Sequence, residues 1–81
     1  MRLTVIVPAF NEESTIARVL ERVLAVDVDK EIIVVDDAST DGTIDILQAM
    51  DNIKVIHHEK NKGKGAAVRS GLGHVKGNYV I

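Results

Sequence analysis

The acidic and basic side chains of this chain lie in separate stretches. Residues 1–59 hold five basic and all twelve acidic side chains, a net charge of −7, whereas residues 60–81 hold five basic and no acidic ones. Carboxylates can accept hydrogen bonds from the imino and amino groups of a nucleobase, and ammonium or guanidinium groups can bind phosphate. The division therefore suits a nucleotide, although a solvated basic face would give the last quarter the same composition.

Two common nucleotide motifs are absent. Gly63-Lys64-Gly65 supplies two glycines of the dinucleotide fingerprint, but the third glycine is missing and the motif follows a third strand pattern rather than the first. The phosphate loop of NTPases requires Gly-Lys followed by Ser or Thr, and here glycine follows. The sequence thus argues against a nicotinamide enzyme and against a phosphate-loop NTPase.

Strands and helices that could position these groups alternate along the chain. Apolar, β-branched runs predict buried parallel strands over 3–7, 31–36 and 53–57, with a fourth strand beginning at Tyr79. Helical spacing predicts a helix that Asn11 caps, followed by helices over 43–50 and 66–75. We expect an α/β fold, a Rossmann-like three-layer half-domain with a parallel sheet in the order βαβαβαβ.

Polar residues collect where the predicted strands end. In open parallel sheets, ligands bind in the crevice outside the carboxyl ends of the strands. The residues there are Asn11 and Glu12 after the first strand, Asp36, Asp37, Ser39 and Asp41 after the second, and Lys60, Asn61, Lys62 and Lys64 after the third. We therefore expect carboxylates and cations to share one crevice.

The composition of the chain excludes several other classes of protein. The chain has 81 residues and no cysteine, which excludes disulfides and thiolate zinc sites and agrees with a reducing compartment. Its apolar runs fall short of the ~20 residues that a bilayer-spanning helix needs, and no signal peptide is evident. We expect a cytoplasmic protein with no nucleic-acid partner. His57 and His58 are adjacent on a strand and should point to opposite faces, so we expect no metal site there.

Three segments resemble the family 2 inverting glycosyltransferases of the GT-A fold. They are VIVPAFNEE at 5–13, VVDDASTDGT at 34–43 and NKGKGAAVR at 61–69, in the order and spacing of that family. Within it, the third segment is most similar to dolichyl- or polyprenyl-phosphate mannosyl- and glucosyltransferases. The resemblance implies a truncated GT-A fold, with residues 1–81 as the incomplete, N-terminal nucleotide-binding part of a glycosyltransferase domain.

The resemblance also implies a set of nucleotide-sugar contacts. The residues concerned are Pro8, Phe10 and Glu12 against the nucleoside, Asp37 as acceptor for the base with Val35 beside it, and Lys64 and Arg69 facing the diphosphate. Other readings stay open for the neighbouring residues: Asp36 and Asp41 could serve only as turn or cap residues, and Arg69 could be merely solvated. Gly63 and Gly65 could serve only to let the backbone turn into a helix.

The implied reaction transfers a sugar from GDP-mannose or a UDP-sugar to an acceptor, expected to be polyprenyl or dolichyl phosphate, with inversion. An Asp-x-Asp motif beyond residue 81 would bind Mg²⁺ or Mn²⁺, so we expect no metal ligands and no transfer activity in these residues alone. Apolar edges left by the cut predict self-association. A nucleotide-binding module without turnover and a sugar nucleotidyltransferase are the alternatives. The latter should carry a glycine-rich basic loop directly after the first strand, where this chain has PAFNE at 8–12.

Overall fold

The computed structural model describes residues 3–73 and 79–80, which form seven elements. The strands are β1 (Leu3–Ala9), β2 (Lys30–Asp37), β3 (Lys54–His58) and β4 (Tyr79–Val80), and the helices are α1 (Ile16–Ala25), α2 (Thr43–Gln48) and α3 (Lys64–Leu72). All paired strands run parallel, in the order β3-β2-β1-β4. The predicted α/β class and alternation are confirmed.

Strand β2 carries the core because successive side chains point to opposite faces of the sheet. Ile32 and Val34 belong to a cluster with residues of α1 and α2, while Ile33 and Val35 belong to a second cluster with α3. All four side chains are at most 2% exposed. The continuous apolar run at 32–35 therefore covers both faces of the sheet, and the expected three layers result.

The start of α1 differs from the prediction. Asn11 does not cap the helix, because α1 begins at Ile16 with Thr15 in the N-cap position. Asn11 instead has a φ of 51° and contacts the loop after β2. The apolar spacing was predicted correctly, since Ile16 and Leu20 lie in the first cluster.

Most element ends lie one or two residues from their predicted positions. Strand β2 continues through Asp37 because β3 pairs with it to the end, with Asp37 opposite His58. Helix α3 begins at Lys64, two residues early, directly after Gly63 with a φ of 88°. The predicted end of that helix, at residue 75, lies outside the described residues. Of the helices that the structure describes, none has the length and apolar character needed to cross a membrane.

Candidate functional site

A cavity of about 240 Å³ opens at the carboxyl ends of β1 and β2, beside the start of α3. Four of the residues predicted for the site line it: Pro8, Phe10, Glu12 and Asp37. The others are Ala9, Asn61, Gly63 and Ala67. Asn61 was expected at the crevice among the polar residues after the third strand, whereas Ala9 and Ala67 were not assigned to the site. Gly63 directly precedes α3 and Ala67 lies in its first turn, and two small residues at this spacing could have indicated a backbone that a ligand can approach.

The carboxylate of Asp37 is the central polar group of this cavity. Its Oδ1 accepts the backbone N–H of Lys62 at 2.9 Å and lies 2.8 Å from Nδ1 of His58. Its Oδ2 accepts the N–H of Gly63 at 2.8 Å. These contacts connect the end of β2 to the loop before α3. The N–H of Lys62, followed by the imidazole of His58, holds the pKa of Asp37 below its ordinary value of 3.8.

Two other predicted site residues, Val35 and Arg69, are not among the residues that line the cavity. Val35 is fully buried in the cluster against α3. Arg69 is exposed one turn beyond Gly65, and a Cβ added at Gly65 would lie 3.5 Å from its Nη1. The guanidinium therefore lies along the first turns of α3, the end of the helix that attracts anions. The side chain of Lys64 lies outside the described residues, so the predicted contacts of these three residues stay predictions.

Side-chain hydrogen bonds join the loop after β1 to the loop after β2. Asn11 Oδ1 accepts the N–H of Thr40 at 2.7 Å, and the N–H of Asn11 donates to Ser39 Oγ at 2.9 Å. The N–H of Glu12 donates to Thr43 Oγ1 at 2.9 Å. Because Asn11 lies between Phe10 and Glu12, these bonds hold two cavity-lining residues in place.

Asp36 and Asp41 make contacts that agree with their interpretation as turn residues. Asp36 is fully buried, accepts both the N–H and the hydroxyl of Ser39, and lies 2.9 Å from Nδ1 of His57. Asp41 accepts the N–H and the hydroxyl of Thr43. Neither carboxylate lines the cavity around Asp37.

Sequence comparison shows the family of this chain. The family model described as glycosyl transferase family 2 matches residues 4–81. The chain belongs to this family. An uncharacterized glycosyltransferase of Synechocystis is 35% identical over 89 residues, which cover all of this chain and 28% of that protein. A dolichyl-phosphate β-glucosyltransferase of Saccharomyces cerevisiae is 32% identical over 91 residues, covering 95% of this chain and 27% of that protein. The chain thus spans about a quarter of the length of these relatives.

Solved structures place this family 2 chain in the GT-A fold. Staphylococcus aureus TarS in complex with UDP superposes with a TM-score of 0.92 at 34% identity, over all of this chain and 26% of that one. The mannosyltransferase PcManGT of Pyrobaculum calidifontis, in complex with GDP-Man and Mn²⁺, gives a TM-score of 0.89 at 33% identity, over 98% of this chain and 26% of that one. The resemblance expected from the three sequence segments is confirmed at the level of family and fold.

A divalent metal, as in that mannosyltransferase complex, needs a set of ligands. Within residues 3–73 and 79–80, no three His, Cys, Asp or Glu side chains come together as a metal site. His57 and His58 contact different carboxylates, those of Asp36 and Asp37, on opposite faces of the sheet. The described residues of this family 2 chain therefore do not fit a metal ion.

Asn11 should stabilise the joined loops of the family 2 site. Its positive φ is tolerated better by Asn than by Ala, and its Oδ1 satisfies the N–H of Thr40. We expect Asn11→Ala to lower the free energy of unfolding by about 1–2 kcal/mol, whereas Asn11→Gly should lose only the hydrogen bond. Urea denaturation measures both. Equal stability of Asn11→Ala and the unchanged protein would contradict this role.

Acid should destabilise this fold through two carboxylates. The pKa of Asp37 and that of Asp41 are both held below 3.8, the latter mainly by the hydroxyl of Thr43. Since the unfolded chain takes up these protons first, their stabilising contribution is complete above pH 3.8 and is lost as the pH falls below it. We expect the melting temperature to drop as the pH falls from about 4 to about 3, and less steeply in Asp41→Asn. A melting temperature that stays constant over this range would be the contrary result.

Proposed function

We propose that this chain holds the nucleoside diphosphate of a sugar donor in a family 2 glycosyltransferase. The observation that carries the proposal is the cavity at the strand ends, where a buried carboxylate faces an apolar wall beside the start of α3. A nucleoside needs both an apolar surface for its ring faces and an acceptor for its N–H groups. In this proposal Pro8 and Phe10 lie against the nucleoside and Asp37 accepts a hydrogen bond from the base.

The diphosphate would lie at the beginning of α3. Backbone N–H groups at a helix N-terminus favour anions, and guanidinium groups bind phosphate oxygens in pairs. Gly63 precedes the helix, and the exposed Arg69 lies along its first turns. We assign Arg69 and Lys64 to the diphosphate, and Glu12 and Val35 to the surroundings of the nucleoside.

The reaction proposed for the whole protein is sugar transfer with inversion. The donor is GDP-mannose or a UDP-sugar, and the acceptor is dolichyl or polyprenyl phosphate, as the name of the yeast relative suggests. An oxygen of the acceptor forms a bond to the anomeric carbon while the bond from that carbon to the diphosphate breaks. The nucleoside diphosphate departs with the bonding electrons, and the cations at α3 offset its charge. Mg²⁺ or Mn²⁺, which residues elsewhere in the protein would hold, is part of the proposal.

Calorimetry with nucleotides tests the binding role. The whole protein should bind UDP or GDP, and it should bind the matching sugar nucleotide, UDP-glucose or GDP-mannose. If none of these nucleotides gives a binding heat up to millimolar concentration, the proposal is refuted. An Asp51→Asn variant, changed at an exposed position before the amino end of β3, provides a matched control that should bind as the unchanged protein does.

A transfer assay separates an enzyme from a binding module. Labelled UDP-glucose or GDP-mannose, dolichyl phosphate and Mn²⁺ should give labelled lipid with the whole protein, and no product when the lipid phosphate is omitted. Tight nucleotide binding without product would favour a module that binds without turnover. Residues 1–81 alone should give no product.

Self-association and cytoplasmic location remain predictions. The described part of β4 pairs with β1 only at Leu3 and Thr4, so the rest of that edge of β1 has no strand beside it among the described residues. Exposed strand edges pair with other chains. Sedimentation of residues 1–81 should therefore show an average mass that rises with concentration, and a constant monomer mass would contradict this expectation.

A further inference from the structure

We infer that His58 is a positioning residue that leaves Asp37 with a single free acceptor, and that the site therefore takes a uracil nucleotide in preference to a guanine nucleotide. The inference rests on the proposed function, since it specifies the base that the same cavity accepts.

His58 is held between the sheet and α3. It lies opposite Asp37 in the β2–β3 pairing and is 7% exposed. Its Nδ1 lies 2.8 Å from Asp37 Oδ1, and its Nε2 lies 2.7 Å from Ser70 Oγ. An ionised carboxylate can only accept, so Nδ1 must carry the hydrogen. The imidazole is thus anchored at both nitrogens and fixes the plane of the carboxylate.

The hydrogen bonds of Asp37 can be counted against its capacity. A carboxylate offers about four lone-pair sites, two on each oxygen. Oδ1 receives the N–H of Lys62 and the N–H of His58, so both of its sites are taken. Oδ2 receives the N–H of Gly63 and keeps one site. A ligand in the cavity therefore finds one acceptor, at Oδ2.

One acceptor distinguishes the bases by their donors. Uracil presents a single imino N–H between two carbonyl groups, whereas guanine presents two adjacent N–H donors that need both oxygens of a carboxylate. Guanine here would leave one donor without a partner, and an unsatisfied buried donor is costly. Cytosine has no imino hydrogen and would have to offer its exocyclic amino group, whose second N–H the single acceptor cannot take. Asn61, whose Oδ1 accepts the N–H of Gly63 at 3.1 Å, lines the cavity and has an amide nitrogen whose N–H groups suit a uracil carbonyl.

Calorimetry on the unchanged whole protein tests the choice of base. We expect UDP to bind at least about tenfold more tightly than GDP or CDP, and N3-methyl-UDP, which lacks the imino hydrogen, to bind about tenfold more weakly than UDP. GDP binding as tightly as UDP, or N3-methyl-UDP binding as well as UDP, would overturn the inference while leaving the proposed function intact. Binding of none of these nucleotides would overturn both.

Two substitutions at position 58 test the role of the imidazole. The amide nitrogen of Asn can occupy the place of Nδ1, whereas that of Gln reaches the place of Nε2. We expect His58→Gln to reduce the preference for UDP over GDP about tenfold, and His58→Asn to keep it within about threefold. A merely structural role would change the melting temperature without changing this ratio. An unchanged ratio in a folded His58→Gln would refute the positioning role.

Further variants keep the test decisive. Ser70→Ala removes the outer anchor of the imidazole and should lower the UDP preference less than His58→Gln does. His57→Gln is the matched control, because His57 contacts Asp36 on the other face of the sheet. It should leave the preference unchanged. Should His58→Gln fail to fold, the ratio in His58→Asn decides, since a loss of preference there, with the donor to Oδ1 retained, would contradict the inference.

Discussion

Asp37→Ala should weaken the binding of the nucleoside diphosphate to the whole protein by about tenfold to about a hundredfold. The substitution removes the only carboxylate of β2 that lines the cavity, which is the acceptor proposed for the base. It also removes the acceptor of the N–H of Lys62 and of Nδ1 of His58, and one of the two acceptors of the N–H of Gly63. The loop that leads into α3 should therefore lose its fixed position, and the melting temperature should fall.

Asp41→Ala is the comparison that separates binding from folding. Asp37 ends β2 and Asp41 lies in the loop after it, both carboxylates accept backbone N–H groups, and both have a lowered pKa. Asp41, however, contacts Glu13 and Thr43 and does not line the cavity. We expect Asp41→Ala to lower the melting temperature but to weaken nucleotide binding less than Asp37→Ala. Equal losses of affinity in calorimetry would argue against a direct contact between Asp37 and the base.

Gly71→Ala should destabilise the fold by about 1–3 kcal/mol, although alanine favours helices over glycine. A Cβ at this position would lie 2.6 Å from Cγ2 of Ile6, which is closer than real side-chain contacts allow. Ile6 is buried against α3, and its β-branched side chain is restricted at χ1, so the methyl group cannot easily rotate away. Helix α3 would have to move off β1 and take Gly63 and Ala67 of the cavity with it.

Urea denaturation of matched variants measures this effect. Gly73→Ala is the control, because a Cβ at Gly73 meets its nearest neighbour at an ordinary 3.5 Å and its φ of −63° suits alanine. It should be neutral or slightly stabilising. In an Ile6→Ala background, the cost of Gly71→Ala should shrink, since the clashing methyl group is gone. A Gly71→Ala protein as stable as Gly73→Ala would show that α3 does not depend on this close approach.

The sequence determined the fold class of this protein through periodicity. The run at 32–35 is apolar at every position because both faces of β2 are buried, and only a sheet covered on both sides requires that pattern. The alternation of strands and helices then predicts parallel pairing, which the order β3-β2-β1-β4 confirms. Three sequence segments were sufficient to indicate the family, because the polar residues of a parallel sheet gather at the strand ends in a fixed order.

Only the tertiary structure decided which neighbours these residues have. Asn is a residue type that often caps helices, but the side-chain oxygen of Asn11 accepts a hydrogen bond from Thr40, 29 residues away along the chain. The residues next to Asn11 in the sequence do not predict this bond. From the sequence alone, Gly71 is a residue that destabilises a helix. The structure shows that α3 packs so closely on Ile6 that this position has no room for a side chain. The sequence places His57 and His58 on opposite faces of a strand, and only the register of β3 against β2 shows that His58 is buried beside Asp37. Local propensity depends on near neighbours along the chain, while these roles depend on residues that folding brings together, so the sequence predicts the elements and the structure assigns the contacts.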